Sequence, residues 1–171
     1  MVKSSAKKLA TSQRKQWQKI LQSNEAVTDS GSNKALRIVI DTNVWYSGIL
    51  YGEKPEMVIR LSLNNFQIVI SEYIVKELRQ TLKLQAKAPY KWLNFLEKHL
   101  RLVCEVIDLD EIPKLSRDPK DDPVIATGIG GNCYYLVTGD RDLLALKSVN
   151  ALKIISVKEL LKLAKRSELS L

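Results

Sequence analysis

From residue 36 onwards, short apolar runs alternate with segments of helical periodicity. Five runs rich in β-branched residues have the length of strands, and in most of the segments between them apolar residues recur at helical spacing. Strands that alternate with helices are usually joined by right-handed crossovers, which align the strands in parallel. The pattern therefore predicts an α/β domain with a mostly parallel sheet. The predicted strands are residues 36–40, 66–70, 102–107, 134–138 and 153–155.

Prolines, serines and glycines mark where the intervening helices begin and end. Proline is favoured in the first turn of a helix, and serine is a good N-cap because its hydroxyl accepts from a free backbone N–H. Glycines at 128, 130 and 131 predict that the helix before the fourth strand is short. A further helical turn is expected after Asp140. The predicted helix starts are Pro55, Ser71, Pro89, Pro123 and the capping-box pair Ser156 and Glu159.

Residues 1–34 have a different composition from the rest of the chain. They contain seven Lys or Arg against two acidic residues, and residues 22–33 are polar and turn-rich like a linker. Residues 5–22 could form a basic helix with a partial apolar stripe, and the alternatives are a solvated tail, a docked helix or a nucleic-acid-binding arm. We predict a basic N-terminal extension and linker over 1–34 and a single folded domain over 35–171. The stripe is Leu9, Trp17, Ile20 and Leu21, and the candidate nucleic-acid ligands are Lys7, Lys8, Arg14, Lys15 and Lys19.

The overall composition narrows the class of protein. The net charge of +8 and the pI of about 9.5 favour polyanionic partners such as nucleic acid. Two cysteines and one histidine do not make a usual zinc site, so Cys104 and Cys133 are expected to be reduced core thiols. No apolar run reaches membrane-spanning length and the N-terminus lacks a signal-peptide pattern, which predicts a cytoplasmic protein without a membrane partner.

Four acidic residues stand near the ends of the predicted strands or at a predicted helix start. Asp41 follows the first strand, Glu77 comes about two helical turns after the second, and Asp140 follows the fourth. Asp122 lies in a loop-to-helix segment. In a parallel sheet these positions converge beyond the carboxyl edge, and clustered carboxylates attract a hard divalent cation. Each residue alone has a simpler interpretation, as a helix cap, a turn former or a solvated surface residue.

The acidic motifs resemble those of the PIN domain family, in the branch of toxin components of toxin–antitoxin modules. The resemblance covers residues 37–156 and implies a three-layer α/β/α sandwich with Mg²⁺- or Mn²⁺-dependent ribonuclease activity. It makes Asp41, Glu77, Asp122 and Asp140 the catalytic and metal-binding quartet. Of the crowded acids Asp118, Asp121 and Asp122, only one or two need be ligands. The secondary candidates are Asp142, Thr138, Asn43, Asp118 and Asp121. The motifs are Ile40-Asp-Thr-Asn-Val44, Ser71-Glu-Tyr-Ile-Val-Lys-Glu-Leu78, Asp118-Pro-Lys-Asp-Asp122 before Ala126, and Val137-Thr-Gly-Asp-Arg-Asp-Leu-Leu144.

Phosphodiester chemistry is compatible with this set of residues. A metal held by carboxylates activates water and stabilises phosphoryl charge. The only histidine, His99, falls inside a predicted helix, which disfavours a ribonuclease that uses a histidine pair. We therefore predict a metal-dependent endoribonuclease, the toxin of a two-gene module, with RNA, a cognate antitoxin and a second copy of the chain as candidate partners. Two alternatives stay open: a non-catalytic PIN-like module that binds RNA or protein, and a structure-specific DNA nuclease.

Overall fold

The fold is built around a six-stranded sheet, seen here in a computed structural model that describes residues 7–28 and 36–167. In chain order the strands are β1 (Arg37–Ile40), β2 (Gln67–Ser71), β3 (Glu105–Ile107), β4 (Tyr135–Thr138), β5 (Ser148–Val149) and β6 (Leu152–Ser156). The sheet order is β3-β2-β1-β4-β6-β5, and only the β5–β6 pair is antiparallel. The carboxyl ends of β1, β2 and β4 therefore meet at one edge of the sheet.

Eight helices are present in the described part of the chain and flank this sheet. Helix α2 contacts α3 and α4, and α3 contacts α8, whereas α6 packs mainly against β1, β2 and β4. Because crossovers are right-handed, connections that run in one direction along the sheet lie on one face, and connections that run in the other direction lie on the opposite face. This rule accounts for the division of the helices. The helices are α1 (Thr11–Thr28), α2 (Thr42–Tyr51), α3 (Glu53–Asn65), α4 (Glu72–Gln85), α5 (Tyr90–Val103), α6 (Asp122–Gly130), α7 (Arg141–Leu146) and α8 (Val157–Arg166).

The predicted α/β class, the five predicted strands and the mostly parallel sheet are confirmed. The predicted capping box is also present, because the Ser156 hydroxyl accepts from the Glu159 backbone while the Glu159 carboxylate accepts from that of Ser156. The third strand is shorter than predicted because α5 continues to Val103. Helix α2 and the two-residue strand β5 were not predicted, and α3 begins at Glu53, two residues before Pro55.

Helix α1 is docked on the domain. Leu9, Trp17 and Leu21 are each at most 3% exposed and belong to the hydrophobic core. The Trp92 indole N–H donates to the Arg14 carbonyl over 3.3 Å, and His99 Nε2 lies 2.9 Å from Glu25 Oε1. We call this contact between residues 9–25 and α5 the α1–α5 seam. The solvated-tail alternative therefore does not describe residues 9–25, while the predicted division at residue 34 stays a prediction, and Lys34 and residues 29–33 lie outside the described ranges.

Helix α6 lies unusually close to the sheet. A Cβ atom at Gly128 would come within 2.6 Å of Leu152 and 3.0 Å of Val39, and one at Gly131 within 2.6 Å of Val69. The helix has nine residues, as short as the glycines predicted. Close packing at its end fixes the position of its first turn, which carries Asp122 and follows Asp121.

The two cysteines and the apolar character of the helices were also the subject of expectations from the sequence. Cys104 and Cys133 are free and buried, as expected, and burial raises the pKa of the Cys133 thiol to about 12. Among the described residues, none of the helices combines the length and the apolar character that a bilayer crossing requires.

Candidate active site

Asp41 lies at the carboxyl end of β1 and is buried, with 7% of its surface exposed. Its backbone N–H donates to the Val137 carbonyl of β4, and its Oδ2 accepts from the Thr138 hydroxyl over 2.7 Å. Burial is the main cause that raises the pKa of Asp41, and the charges of Glu77 and Asp140 raise it further. The Thr138 hydrogen bond opposes this shift without cancelling it. Asp41 is therefore a carboxylate kept close to other carboxylates.

Glu77 reaches this position from α4. Its Oε2 accepts from the Thr42 hydroxyl over 2.6 Å, which ties the second turn of α4 to the first turn of α2. Tyr73, one turn earlier on α4, lies among the same acids: burial raises the pKa of its phenol, and the charges of Glu77 and Asp121 add to the shift. The structure thus brings Glu77 into the electrostatic neighbourhood of Asp41.

Asp140 caps α7 at the end of β4. Its Oδ1 accepts from the backbone N–H groups of Asp142 and Leu143 over 2.7 and 3.2 Å, and its own N–H donates to Thr138 Oγ1 over 3.0 Å. The Thr138 hydroxyl consequently joins Asp41 and Asp140, since it donates to one and accepts from the backbone of the other. This bridge holds the ends of β1 and β4 in a fixed relation.

Asp121 and Asp122, adjacent in the chain, have opposite surroundings. Burial and then the charges of Asp140, Asp118, Asp41 and Asp142 raise the pKa of Asp121 to about 6. Asp122 is 4% exposed, and its Oδ1 lies 2.6 Å from Ser116 Oγ. Hydrogen bonds from the Ser116 side chain and from the Leu115 and Ser116 backbone lower the pKa of Asp122. The structure therefore groups Asp121, rather than Asp122, with Asp41 and Asp140, while Asp122 fixes the loop before it.

The other secondary candidates lie around this cluster, which we call the acidic edge (Asp41, Glu77, Asp121 and Asp140). Asn43 is exposed at the start of α2. Asp118 accepts from the Lys120 N–H in a turn, and Asp142 is exposed at the start of α7. A cleft of about 140 Å³ opens beside Asp121. Its lining residues are Ser116, Arg117, Asp118, Asp121, Asp142, Leu143, Ala145 and Leu146.

The donor chemistry of the acidic edge suits a hard divalent cation, although the side chains are not arranged around one point. Within residues 7–28 and 36–167, no three Asp, Glu, His or Cys side chains are spaced to hold one ion. The oxygens of Asp41, Glu77 and Asp140 instead accept hydrogen bonds from the protein. Carboxylate oxygens clustered in this way favour hard cations such as Mg²⁺ or Mn²⁺, which bind with a few carboxylates and several waters.

The predicted basic ligands fall in two places. Arg14 and Lys15 line a groove between α1 and α5, whereas the Lys7 ammonium lies over the Tyr51 ring, 5.1 Å from its centre. Lys8 and Lys19 are exposed. His99 is packed in the α1–α5 seam, stacked on Phe95 with ring centres 3.7 Å apart, so the expectation that it is not at the site of the acids is consistent with its position.

Sequence reasoning ranked Asp122 above Asp121, and it did not single out Tyr73 or Ser116. The spacing of the Asp118–Asp122 motif cannot distinguish two neighbouring carboxylates, because their directions depend on where α6 begins. Tyr73 was detectable in principle, since it precedes Glu77 by one helical turn and therefore shares its face.

One of three comparisons with known proteins assigns this chain to a family. No curated protein sequence matches the chain. Among solved structures, one chain of the crystal structure of VapBC2 from Rickettsia felis bound to a DNA fragment from their promoter is similar. It has a TM-score of 0.52 and 18% sequence identity over 71% of this chain and 98% of that chain, a likeness of fold alone. The sequence pattern of the PIN domain matches residues 37–142, from β1 to Asp142 and so across all four acids of the acidic edge. This chain therefore belongs to the PIN domain family.

Proposed function

We propose that this protein is a metal-dependent endoribonuclease that hydrolyses RNA phosphodiester bonds at the acidic edge, and that it acts as the toxin of a two-gene toxin–antitoxin module. The observation that carries the proposal is the convergence of Asp41, Asp121 and Asp140: burial raises the pKa of Asp41 and of Asp121, and the charge of Asp140 raises both further. Carboxylates kept this close reduce stability, so their retention is best explained by a cation that they bind.

Asp41, Asp121 and Asp140, with Glu77 beside them, would hold Mg²⁺ or Mn²⁺. When bound, the cation supplies positive charge against the phosphoryl group and acidifies water for attack. Thr138 orients Asp41, and Thr42 orients Glu77, so neither carboxylate has to reorganise when substrate arrives. Asp122 acts indirectly in this proposal: it holds Ser116 and thereby positions the neighbouring Arg117, a residue that lines the cleft and that could contact a phosphate.

Cleavage of a labelled single-stranded RNA in the presence of Mg²⁺ or Mn²⁺ tests the assignment. Asp41→Asn should abolish cleavage, because the substitution removes a charge while it preserves shape and the acceptor for Thr138. Asp110→Asn, the same change at an exposed aspartate outside the acidic edge, is the matched control and should cleave normally. Wild-type rates from Asp41→Asn would refute the nuclease proposal, and preferential cleavage of branched DNA would support a DNA nuclease instead.

A second pair of variants separates the neighbouring aspartates. If Asp121 binds the cation, Asp121→Asn should lose cleavage as completely as Asp41→Asn, and added Mn²⁺ should not restore it. Asp122→Asn should retain cleavage at a reduced rate, because an asparagine oxygen still accepts from Ser116. The reverse ranking would return Asp122 to the quartet that the motif suggested.

The toxin role rests on the resemblance of the acidic motifs to the toxin-component branch, and it requires a protein inhibitor. Expression of the wild-type chain should arrest growth, and expression of Asp41→Asn should not. The product of a small neighbouring gene should co-purify with the chain and restore growth. Growth arrest by Asp41→Asn would mean that toxicity does not depend on RNA cleavage, and it would refute this part of the proposal.

A further inference from the structure

We propose that the groove between α1 and the start of α5 is a binding surface for single-stranded RNA, separate from the acidic edge. This inference rests on the proposed function only in taking RNA as the substrate. The groove encloses about 440 Å³ and is lined by three cationic side chains, Arg14, Lys15 and Lys91, together with the aromatic ring of Tyr90. The wall of the groove that α1 forms lies outside residues 37–142, the part of the chain that matches the family pattern. The family pattern therefore does not account for the groove.

The charge of the groove is uncompensated. None of the described residues that line it is acidic. Lys15 and Lys91 are exposed and free to reach a ligand. Arg14 donates from Nη2 to Thr11 Oγ1 over 2.7 Å, but its Nε is shielded from solvent and has no hydrogen-bond partner among the described residues. Three cations in a groove with no acidic lining residue attract a polyanion such as the phosphate backbone of RNA.

Tyr90 supplies a second kind of contact. Its ring is 67% exposed, the most exposed large hydrophobic side chain in the described part of the protein. The Arg79 guanidinium lies 5.0 Å from the ring centre, and Arg79 is itself held by Glu97 at 2.9 Å. The ring is therefore backed by a fixed cation while much of its surface faces solvent. An aromatic ring presented in this way beside phosphate-binding cations is suited to stacking with a nucleobase.

The two walls of the groove are fixed to each other. The Trp92 indole N–H donates to the Arg14 carbonyl, and Trp92 is 4% exposed. The Leu9 backbone N–H donates to the Ala86 carbonyl just before α5. Because α1 and α5 cannot separate without breaking these contacts, the cations and Tyr90 keep a constant relation. A preformed surface of this kind costs less conformational entropy on binding than a flexible basic tail.

Binding of a short, fluorescently labelled single-stranded RNA to the full chain tests the inference. EDTA prevents metal-dependent cleavage, and fluorescence anisotropy over a salt series gives the affinity and its salt dependence. In the double variant Lys15→Gln/Lys91→Gln, the slope of log affinity against log salt should fall by about 1.4, since each single-strand phosphate contact contributes about 0.7. The matched control Lys158→Gln/Lys165→Gln removes two exposed lysines from α8, which packs against α3, β4 and β6.

Tyr90 is tested separately from the charges. Tyr90→Ser should weaken RNA binding by about tenfold and leave the salt slope unchanged, because stacking releases no counterions. Tyr90→Phe should bind as the wild type does, because the ring is kept. Ultraviolet cross-linking should attach the RNA to the peptide that contains Tyr90.

Two results would overturn the proposal. One is equal loss of affinity in the groove pair and the α8 pair, which would mean that only net charge matters. The other concerns polyglutamate, an acidic polypeptide used as a second probe. If Lys15→Gln/Lys91→Gln loses polyglutamate binding but binds RNA as the wild type does, the occupant of the groove is an acidic polypeptide. Neither result depends on cleavage, so failure here is distinguishable from failure of the nuclease assignment, which is measured with metal present.

Discussion

The acidic edge and the α1–α5 seam contribute to stability with opposite signs. At the acidic edge, burial and then like charges raise the pKa values of Asp41 and Asp121, so the folded state is disfavoured there at neutral pH. In the seam, Trp17 and Leu21 are at most 1% exposed, and Glu25 lies against His99. The family pattern includes the destabilising region and excludes α1. The comparison teaches that a segment outside the family pattern can offset the cost of buried and repelling charges within it.

The largest expected effect comes from breaking the seam. Trp17→Ala should lower the free energy of unfolding by about 3–5 kcal/mol, the usual cost of removing a large buried aromatic ring. Urea denaturation followed by circular dichroism measures this. Lys19→Ala, an exposed change on the same helix, should stay within about 0.5 kcal/mol of wild type. A similarly small effect of Trp17→Ala would mean that residues 35–171 fold independently, as the division at residue 34 predicts.

The second effect tests whether the acidic edge binds a divalent cation. Mg²⁺ or Mn²⁺ should raise the melting temperature by mass action, with about 2.7 kcal/mol of stabilisation at one hundred times the dissociation constant. Differential scanning fluorimetry in EDTA and in increasing metal gives the comparison. Asp41→Asn should show a much smaller shift. If millimolar metal leaves the wild-type melting curve unchanged, the acids of this edge do not share a cation.

The third effect removes one repelling charge. Without metal, Asp121→Asn should stabilise the protein at pH 7 by about 1 kcal/mol, after allowance for solvent screening. The sign follows from linkage: the folded pKa of Asp121 is about 6 against an ordinary 3.8, so wild-type stability falls as pH rises through that interval. Denaturation in EDTA at several pH values measures it. The two proteins should converge below the ordinary pKa, and a constant difference at every pH would assign the effect to packing.

The smallest expected effect is a loss of stability, the reverse of the effect of Asp121→Asn. The pKa of Asp122 is lowered, so its carboxylate stabilises the fold above the ordinary pKa and that contribution is lost as pH falls through the folded pKa. Asp122→Asn should therefore destabilise the protein slightly at neutral pH. Hydrogen exchange at the Leu115 and Ser116 amides, which donate to Asp122, should become faster. Unchanged exchange at these amides would remove the reason for treating Asp122 as the residue that holds the loop.

The sequence was sufficient to predict the mostly parallel sheet and the places of Asp41 and Asp140 at one edge of it, because both depend on periodicity and topology. Parallel strands end together, so Asp41 and Asp140 could be expected at one edge from their places after β1 and β4. Helix α2 was missed because its valine, tryptophan and tyrosines have modest helix propensity and its glycine, Gly48, has less. The two residues of β5 are too few to carry any period.

The surroundings of Asp121 and Asp122 could not be predicted for a different reason. Both stand before the same proline, and each could cap the helix or face the other acids. The outcome depends on the loop at Leu115 and Ser116 and on the depth of α6, which Gly128 and Gly131 set through contacts with distant strands. Long-range packing of this kind leaves no local signal. Docking of α1 was similarly undetermined, because a partial apolar stripe is compatible with either a buried helix or a free one.

The bridging hydroxyl of Thr138 has a consequence for how protons move when metal binds. Since Thr138 accepts from the Asp140 backbone, its own hydrogen points to Asp41 Oδ2, and a proton taken up by Asp41 goes preferentially to Oδ1. A cation that binds this carboxylate must then displace that proton. If the acidic edge binds Mg²⁺, its apparent affinity should therefore fall at lower pH, because a proton and the metal compete for the same carboxylate.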